Sequence, residues 1–218
     1  MTTRSLLEKE LEKLREHLLE MERMTETAID RSIEALKKQD REAALQIIED
    51  DEAINKLRYK IEKQCIATIA TQQPMASDLR AIIATVHMAV EMERMADHAA
   101  GIAKLVTKMC DEPLLKPLID VPRMAQIAKE MLRGNIQAFI ERDAEAAKRI
   151  ARRDDEIDQL YDQVLRELLT YMLEDPRNIQ RATYLLWVAH GLERIGDRAT
   201  NLSERIIFMA TGELKELE

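Results

Sequence analysis

The sequence predicts an all-α protein, built as a tandem duplication of an antiparallel three-helix bundle with six long helices. The chain has only five glycines and five prolines among 218 residues, which is too few for the regularly spaced turns of an all-β fold. Hydrophobic residues make up 46% of the chain and charged residues 34%, so both a core and a solvated surface can form. Apolar side chains recur at alternating spacings of three and four, the period of an amphipathic helix.

Three helical blocks follow one another in the first half. The first begins near Ser5 and breaks at 39–41. The second covers 42–72 and is closed by Pro74, because the residue before a proline leaves the helical region. The third covers 77–109. Each block has about 30 residues, so each helix should be roughly 45 Å long, and short loops force up-down-up packing.

A proline-rich linker follows the third block. Three of the five prolines fall between residues 113 and 122, and such a cluster marks a connection rather than an element. We therefore predict a first three-helix bundle at 1–112, a linker at 113–122 and a second three-helix bundle at 123–218.

The second half repeats the pattern of the first. The segment QDREAA at 39–44 returns as RDAEAA at 142–147, which is 103 residues later. Beyond the second turn, ERMAD at 93–97 returns as ERIGD at 193–197, which is 100 residues later. Two repeats are too few for a solenoid, so a duplicated bundle is the expected architecture.

Composition and charge argue against several classes of function. The net charge of −8 and the pI near 5.3 are unfavourable for wrapping nucleic acid or for binding an anionic membrane surface. The longest apolar stretch, 81–90, is far shorter than the roughly 20 residues of a membrane span. Cys65 and Cys110 are isolated thiols, typical of a reducing compartment. We expect a cytoplasmic protein with no nucleic-acid partner and no membrane insertion.

Catalytic motifs are missing from the sequence. It contains no GxSxG, no glycine-rich phosphate loop and no HExxH. None of the four histidines follows a glutamate by three residues, as a ferritin-like di-iron bundle requires. We therefore expect a protein that is not an enzyme.

The candidate functional residues are polar pairs spaced four residues apart, which place both side chains on one face of a helix. Each half carries one such pair on its second helix and one on its third. The eight residues, predicted as metal ligands, are Asp51, Asn55, Glu93, Asp97, Asp154, Asp158, Glu193 and Asp197.

These pairs should meet in space. With the second turn centred near residue 75, the first half places its pairs 20–24 residues before the turn and 18–22 residues after it. In an antiparallel hairpin the four side chains then stand at the same height, in or beside the contact between the two helices. Buried like charges repel one another and need a counter-charge. A hard, oxygen-ligated metal ion would supply it.

Two other interpretations of these pairs remain open. Arg94 and Arg194 lie inside the motifs and could neutralise the carboxylates without a metal. His98 and His190 adjoin the acidic stripes, and either could be an outer ligand or a satisfied polar side chain. Asn201, one turn beyond the last carboxylate, is a further candidate for an outer ligand.

The motifs resemble the PhoU family of phosphate-specific transport system accessory proteins. QPMASDLR at 73–80, ERMAD at 93–97 and ERIGDRATN at 193–201 carry the resemblance, which extends over 7–212. The resemblance implies a pair of three-helix bundles. It also implies a negative regulator of phosphate uptake and of the phosphate-starvation response, coupling a phosphate ABC transporter ATPase to a sensor histidine kinase.

The resemblance also implies a metal, because some family members bind iron clusters or other divalent or trivalent metals at paired E(D)xxxD motifs. Asn55 departs from this pattern, since the second half has Asp158 there. The first site is therefore expected to bind metal more weakly or to select a different ion. The alternatives are a metal-dependent hydrolase that uses the carboxylate clusters and a metal-free helical scaffold.

Self-association is a further expectation. A long two-bundle chain has much surface for its core, and its 12 methionines suit adaptable packing against partners. We therefore expect a homodimer.

Overall fold

A computed structural model describes residues 3–213 and residue 217 of the chain. The ends of the two predicted bundles, 1–2, 214–216 and 218, lie outside the described residues. Seven α-helices and one short 3-10 turn at Pro176–Asn178 account for most of the described part, and no strand occurs in it. The helices are α1 (Thr3–Lys38), α2 (Arg41–Gln72), α3 (Ser77–Met109), α4 (Asp120–Glu141), α5 (Ala144–Ala151), α6 (Asp154–Glu174) and α7 (Ile179–Thr211).

The duplication is visible in the first turn of each half. Gln39 and Arg142 are equivalent positions, and both adopt the left-handed conformation, with φ of 52° and 55°. The next residue caps the following helix: Asp40 accepts from the backbone N–H of Ala43, and Asp143 does the same for two N–H groups of α5. Such a cap satisfies donors that the first turn of a helix leaves free.

The second helix of the second half differs from its counterpart. Where α2 runs unbroken through Glu49 and Asp50, the equivalent residues Arg152 and Arg153 interrupt the helix and separate α5 from α6. Arg153 turns toward α4, where its NH2 lies 2.9 Å from Glu130 Oε2. Helix α6 then restarts with three acidic residues in its first turn, a charge that the helix dipole favours at an N-terminus.

The connection between the halves, residues 110–119, has the length of the predicted linker but begins and ends three residues earlier. Helix α4 begins at Asp120, so Pro122 stands in its first turn, where a proline removes no helical hydrogen bond. The connection is fastened to the second half. Lys116 pairs with Glu167 of α6, and Arg181 NH2 of α7 donates to the carbonyl oxygen of Pro113 (2.6 Å).

Helices α3 and α7 form the most extensive contact in the molecule and run antiparallel to each other. Three contacts along their length show the direction. Arg80 Nε donates to the carbonyl oxygen of Met209 (3.2 Å), Asn201 Nδ2 donates to Glu91 Oε2 (3.2 Å), and Gly191 lies against Ile102. The two halves are thus joined back to back, with α2 outside α3 and α6 outside α7.

Helices α1 and α4 also touch across the two halves. Lys129 of α4 pairs with Asp30 of α1 (2.5 Å), and Arg133 pairs with Glu26 (2.8 Å). Nearly all of the buried apolar side chains described in the two halves belong to one continuous core. In the described part of the chain, no helix is both long enough and apolar enough to cross a membrane.

Candidate functional site: two acidic helix seams

The predicted polar pairs face each other across two helix contacts. The first seam is the α2–α3 contact at Asp51, Asn55, Glu93 and Asp97. The second seam is the α6–α7 contact at Asp154, Asp158, Glu193 and Asp197. Because α3 and α7 are antiparallel neighbours, the two seams lie at similar heights on opposite sides of this central pair.

The carboxylates of the first seam are close enough to influence one another. Burial raises the pKa of Asp51, and the negative charge of Asp97 on the other helix raises it further. Burial and Asp97 likewise raise the pKa of Glu93. The structure therefore brings together the carboxylates that the sequence placed at equal height.

Repulsion between carboxylates is stronger in the second seam than in the first. Burial, followed by the charges of Asp158 and Asp197, raises the pKa of Asp154 to about 7. Burial and the charge of Asp197 also raise the pKa values of Asp158 and Glu193. A shared cause, the crowding of like charges where water is scarce, explains all three directions.

Two oxygen atoms of the second seam are buried without a hydrogen-bond partner among the described residues. They are Asp154 Oδ1 and Glu193 Oε2. Glu193 Oε2 lies 3.2 Å from His190 Nδ1 and 3.3 Å from Arg194 Nε, but neither contact has hydrogen-bond geometry. An unsatisfied buried carboxylate oxygen is costly and is a suitable ligand for a hard cation.

A glycine lets the second seam close tightly. A Cβ added to Gly196 would lie 2.4 Å from Asp154 Oδ1 and 2.9 Å from Ile157 Cδ1. The equivalent residue in the first seam is Ala96, so α2 and α3 have room there for a methyl group. Beside the second seam, a cleft of about 310 Å³ is lined by Asp154, Asp158 and Thr200, among others.

Each seam contains a cation. In the second seam Arg194 NH1 donates to Asp197 Oδ2 (2.8 Å), and in the first seam the cation is Arg58. Arg58 of α2 lies one turn beyond Asn55, and its Nε is 3.3 Å from Glu93 Oε1. Its NH1 donates to Glu62 Oε1 (2.6 Å), and its guanidinium carbon lies 4.1 Å from the centre of the Tyr59 ring. Within the same seam, Asn55 Nδ2 donates to Asp51 Oδ2 (3.3 Å).

Sequence reasoning missed two residues of the seams, Arg58 and Thr200. Thr200 donates to Asp154 Oδ2 (3.2 Å) from one turn beyond Asp197. Both could have been found, because each continues the stripe of the polar pair beside it at a spacing of three.

The three residues considered as outer ligands stand in different surroundings. Asn201 donates its amide to Glu91 in the α3–α7 contact. Burial lowers the pKa of His98, and the charge of Arg198 on α7 lowers it further. His190 remains beside the second seam, where its Nδ1 contacts Glu193.

The oxygen donors of the second seam are of the chemical type that hard metal ions bind. Four carboxylates and a hydroxyl lie along this contact, and two of the buried oxygens have no hydrogen-bond partner. Mg²⁺, Ca²⁺ and Mn²⁺ prefer oxygen ligands of this kind. As placed, no three His, Cys, Asp or Glu side chains in the described part of the chain surround one ion position. Metal binding at the eight predicted residues remains a prediction.

Comparisons with known proteins agree with the architecture. The PhoU domain matches residues 18–106 and again 121–206, one copy in each half. A phosphate-specific transport system accessory protein PhoU homolog from Aquifex aeolicus is 43% identical over 94% of this chain and 93% of its own length. The corresponding homolog from Clostridium acetobutylicum is 38% identical over 99% of both chains.

Solved structures agree as well. The crystal structure of PhoU from Pseudomonas aeruginosa superposes with a TM-score of 0.88 at 35% identity, covering 94% of this chain and 99% of that one. The phosphate transport system regulatory protein PhoU from Streptococcus pneumoniae gives a TM-score of 0.90 at 32% identity, covering 97% of this chain and 100% of the other. The chain, with one domain copy in each half, belongs to the PhoU family.

Proposed function

We propose that this protein is a cytoplasmic accessory protein that negatively regulates phosphate uptake and the phosphate-starvation response. The observation that carries the proposal is the PhoU domain in both halves, together with relatives named as phosphate transport accessory and regulatory proteins. Those names describe regulators rather than enzymes. In the proposed role, the protein couples the ATPase of a phosphate ABC transporter to a sensor histidine kinase.

The proposed role requires surfaces that bind other proteins. Exposed apolar side chains occur at repeat-equivalent positions near the second turn of each half: Ile66 matches Leu169, and Leu79 matches Ile179. Single exposed apolar residues are common, but their recurrence at equivalent positions supports a binding role. We propose that these two patches contact partner proteins, and that the chain is a homodimer, which sedimentation at several concentrations tests.

We further propose that the second seam binds a metal ion through Asp154, Asp158, Glu193 and Asp197. A bound cation supplies positive charge that neutralises these carboxylates and links α6 to α7. The chain's own contribution is to hold the oxygens together: Gly196 admits Asp154 between the helices, and Thr200 fixes one of its oxygens. We expect the bound metal to be an iron cluster or another divalent or trivalent ion.

A clean deletion strain tests the regulatory role. Deletion should give constitutive expression of phosphate-scavenging genes in phosphate-rich medium, and the wild-type gene should restore repression. The double variant Ile66→Ser/Leu169→Ser should fail to restore it while unfolding like the wild type. Leu45→Ser, which changes an equally exposed apolar residue away from the second turns, is the matched control. Normal repression in the deletion strain would overturn the assignment.

A further inference from the structure

The two seams differ in the charge that each contains. The first has three carboxylates and the half-buried guanidinium of Arg58. The second has four carboxylates, Tyr161 at the position equivalent to Arg58, and the more exposed guanidinium of Arg194 beside Asp197. We infer that Arg58 takes the place of a metal ion in the first seam, so that only the second seam is a metal site. The inference refines the proposed metal binding and rests on it for the second half.

The contacts of Arg58 support this role. Its side chain is only 17% exposed and is held by Glu62, Glu93 and the Tyr59 ring. A guanidinium stays charged at every physiological pH. Its charge therefore remains in the seam permanently, and a divalent ion entering beside it would be repelled.

The other polar atoms of the two seams also support the inference. Asn55 donates to Asp51 where a second carboxylate would otherwise stand. The buried unpartnered oxygens found among the seam residues belong to the second seam, whereas in the first it is Arg58 Nε that lacks hydrogen-bond geometry. Among the seam carboxylates, the buried oxygens without a hydrogen-bond partner are thus Asp154 Oδ1 and Glu193 Oε2, both in the second seam.

A second cation enlarges the difference. Lys104 lowers the pKa of Asp51 through its charge, and the equivalent residue in the second half is Glu204. Arg194 is a cation of the second seam: its NH1 donates to Asp197 Oδ2 (2.8 Å), but its side chain is 44% exposed, against 17% for Arg58. The asymmetry therefore comes from residues 55, 58 and 104 and their counterparts.

Exchanging the residues of the two seams tests the inference. Asn55→Asp/Arg58→Tyr gives the first seam the residues of the second, and Asp158→Asn/Tyr161→Arg makes the reverse change. Bound Mn²⁺ is counted from the loss of the free-ion electron paramagnetic resonance signal, with Mn²⁺ alone as the probe. Circular dichroism confirms that each full-length variant is folded.

We expect Glu193→Gln/Asp197→Asn and Asp158→Asn/Tyr161→Arg each to lose essentially all bound Mn²⁺. Asn55→Asp/Arg58→Tyr should bind about twice as much as the wild type. Combined with Glu193→Gln/Asp197→Asn, it should bind about the wild-type amount. If the exchanged variant unfolds, Arg58→Met in the Glu193→Gln/Asp197→Asn background should still gain Mn²⁺ binding, and no gain there would count against the inference.

Two results would overturn the inference. Retention of about half the Mn²⁺ by Glu193→Gln/Asp197→Asn would show that the first seam binds metal with Arg58 in place. No gain in Asn55→Asp/Arg58→Tyr would show that Arg58 is not what excludes the ion. If the wild type binds no Mn²⁺ but the exchanged variant does, the role of Arg58 stands and the proposed metal site of the second seam fails.

Discussion

Asp154 binds a proton more tightly in the folded protein than in the unfolded chain. Its pKa of about 7 in the folded protein exceeds the ordinary aspartate value of 3.8, so between these values the folded state binds more protons than the unfolded state. The associated stability is fully present below pH 3.8 and is lost as pH rises through about 7. When a chelator keeps metal ions out of the solution, this group therefore makes the protein more stable at pH 5 than at pH 8.

We predict that Asp154→Asn reduces this pH dependence. One proton contributes at most about 1.4 kcal/mol per pH unit, so the variant's slope should be shallower by an amount of that order. Urea unfolding in chelator at several pH values measures it. His87 and His98, whose lowered pKa values act in the opposite direction, are present in both proteins. Equal slopes would contradict the prediction.

Two glycines should respond in opposite ways to an added methyl group. Gly196→Ala overpacks the second seam against Asp154 and Ile157, which typically costs about 1–3 kcal/mol and should outweigh the gain in helix propensity. Gly101→Ala meets no atom within 4 Å and should raise the free energy of unfolding by roughly 0.5–1 kcal/mol. Equal shifts in chemical denaturation would show that the seam is not closely packed.

At the scale of the helices, the repeated first turn offers a matched pair of caps. Asp40→Ala and Asp143→Ala each remove a side-chain acceptor from the start of a helix, a change that costs about 1 kcal/mol. We expect the greater loss at Asp143, because its oxygen accepts from two N–H groups and the eight-residue α5 ends at a break. Urea midpoints of the two variants check the order, and a larger loss at Asp40 would reverse it.

Local signals in the sequence predicted most helix boundaries. Pro74 and the repeated aspartates marked the turns, and the predicted third block, 77–109, coincides with α3. The break between α5 and α6 was not predicted. At the break, Arg153 contacts Glu130 on another helix, and no periodicity within one segment reveals such a contact. Arg58 falls between Ile54 and Ile61 on the mostly apolar stripe of its helix, and no role in the seam was predicted for it.

At the scale of the whole molecule, the shared core predicts one cooperative unfolding transition. Ile102 of the first half is 1% exposed and packs against Gly191 of the second. Ile102→Ala should cost about 2–5 kcal/mol. It should shift the fluorescence transition of Trp187, the only tryptophan and a residue of the second half, together with the circular dichroism transition. Separate transitions would mean that the halves unfold independently.

The antiparallel pairing of α3 with α7 could not be predicted from the sequence. The stripes show which face of each helix is buried, but several buried faces of similar character leave the choice of neighbour open. The equal heights of the polar pairs within each hairpin could be predicted by counting residues from the turn, because a short turn fixes the register of two helices. The back-to-back union of the halves has no such constraint, since ten residues of connection, 110–119, permit other arrangements.

That central contact has the pattern of a homodimer interface contained in one polypeptide. In a two-fold dimer every substitution appears twice, so a residue and its symmetry mate can never diverge. Here Glu91 and Asn201 form a hydrogen bond, while their repeat counterparts are Gly191 and Gly101. Because the two copies are parts of one polypeptide, each half can accumulate its own substitutions. Under the inference above, the first half has used this freedom to keep a half-buried arginine in its seam, while the second half has kept a tyrosine and a fourth carboxylate there.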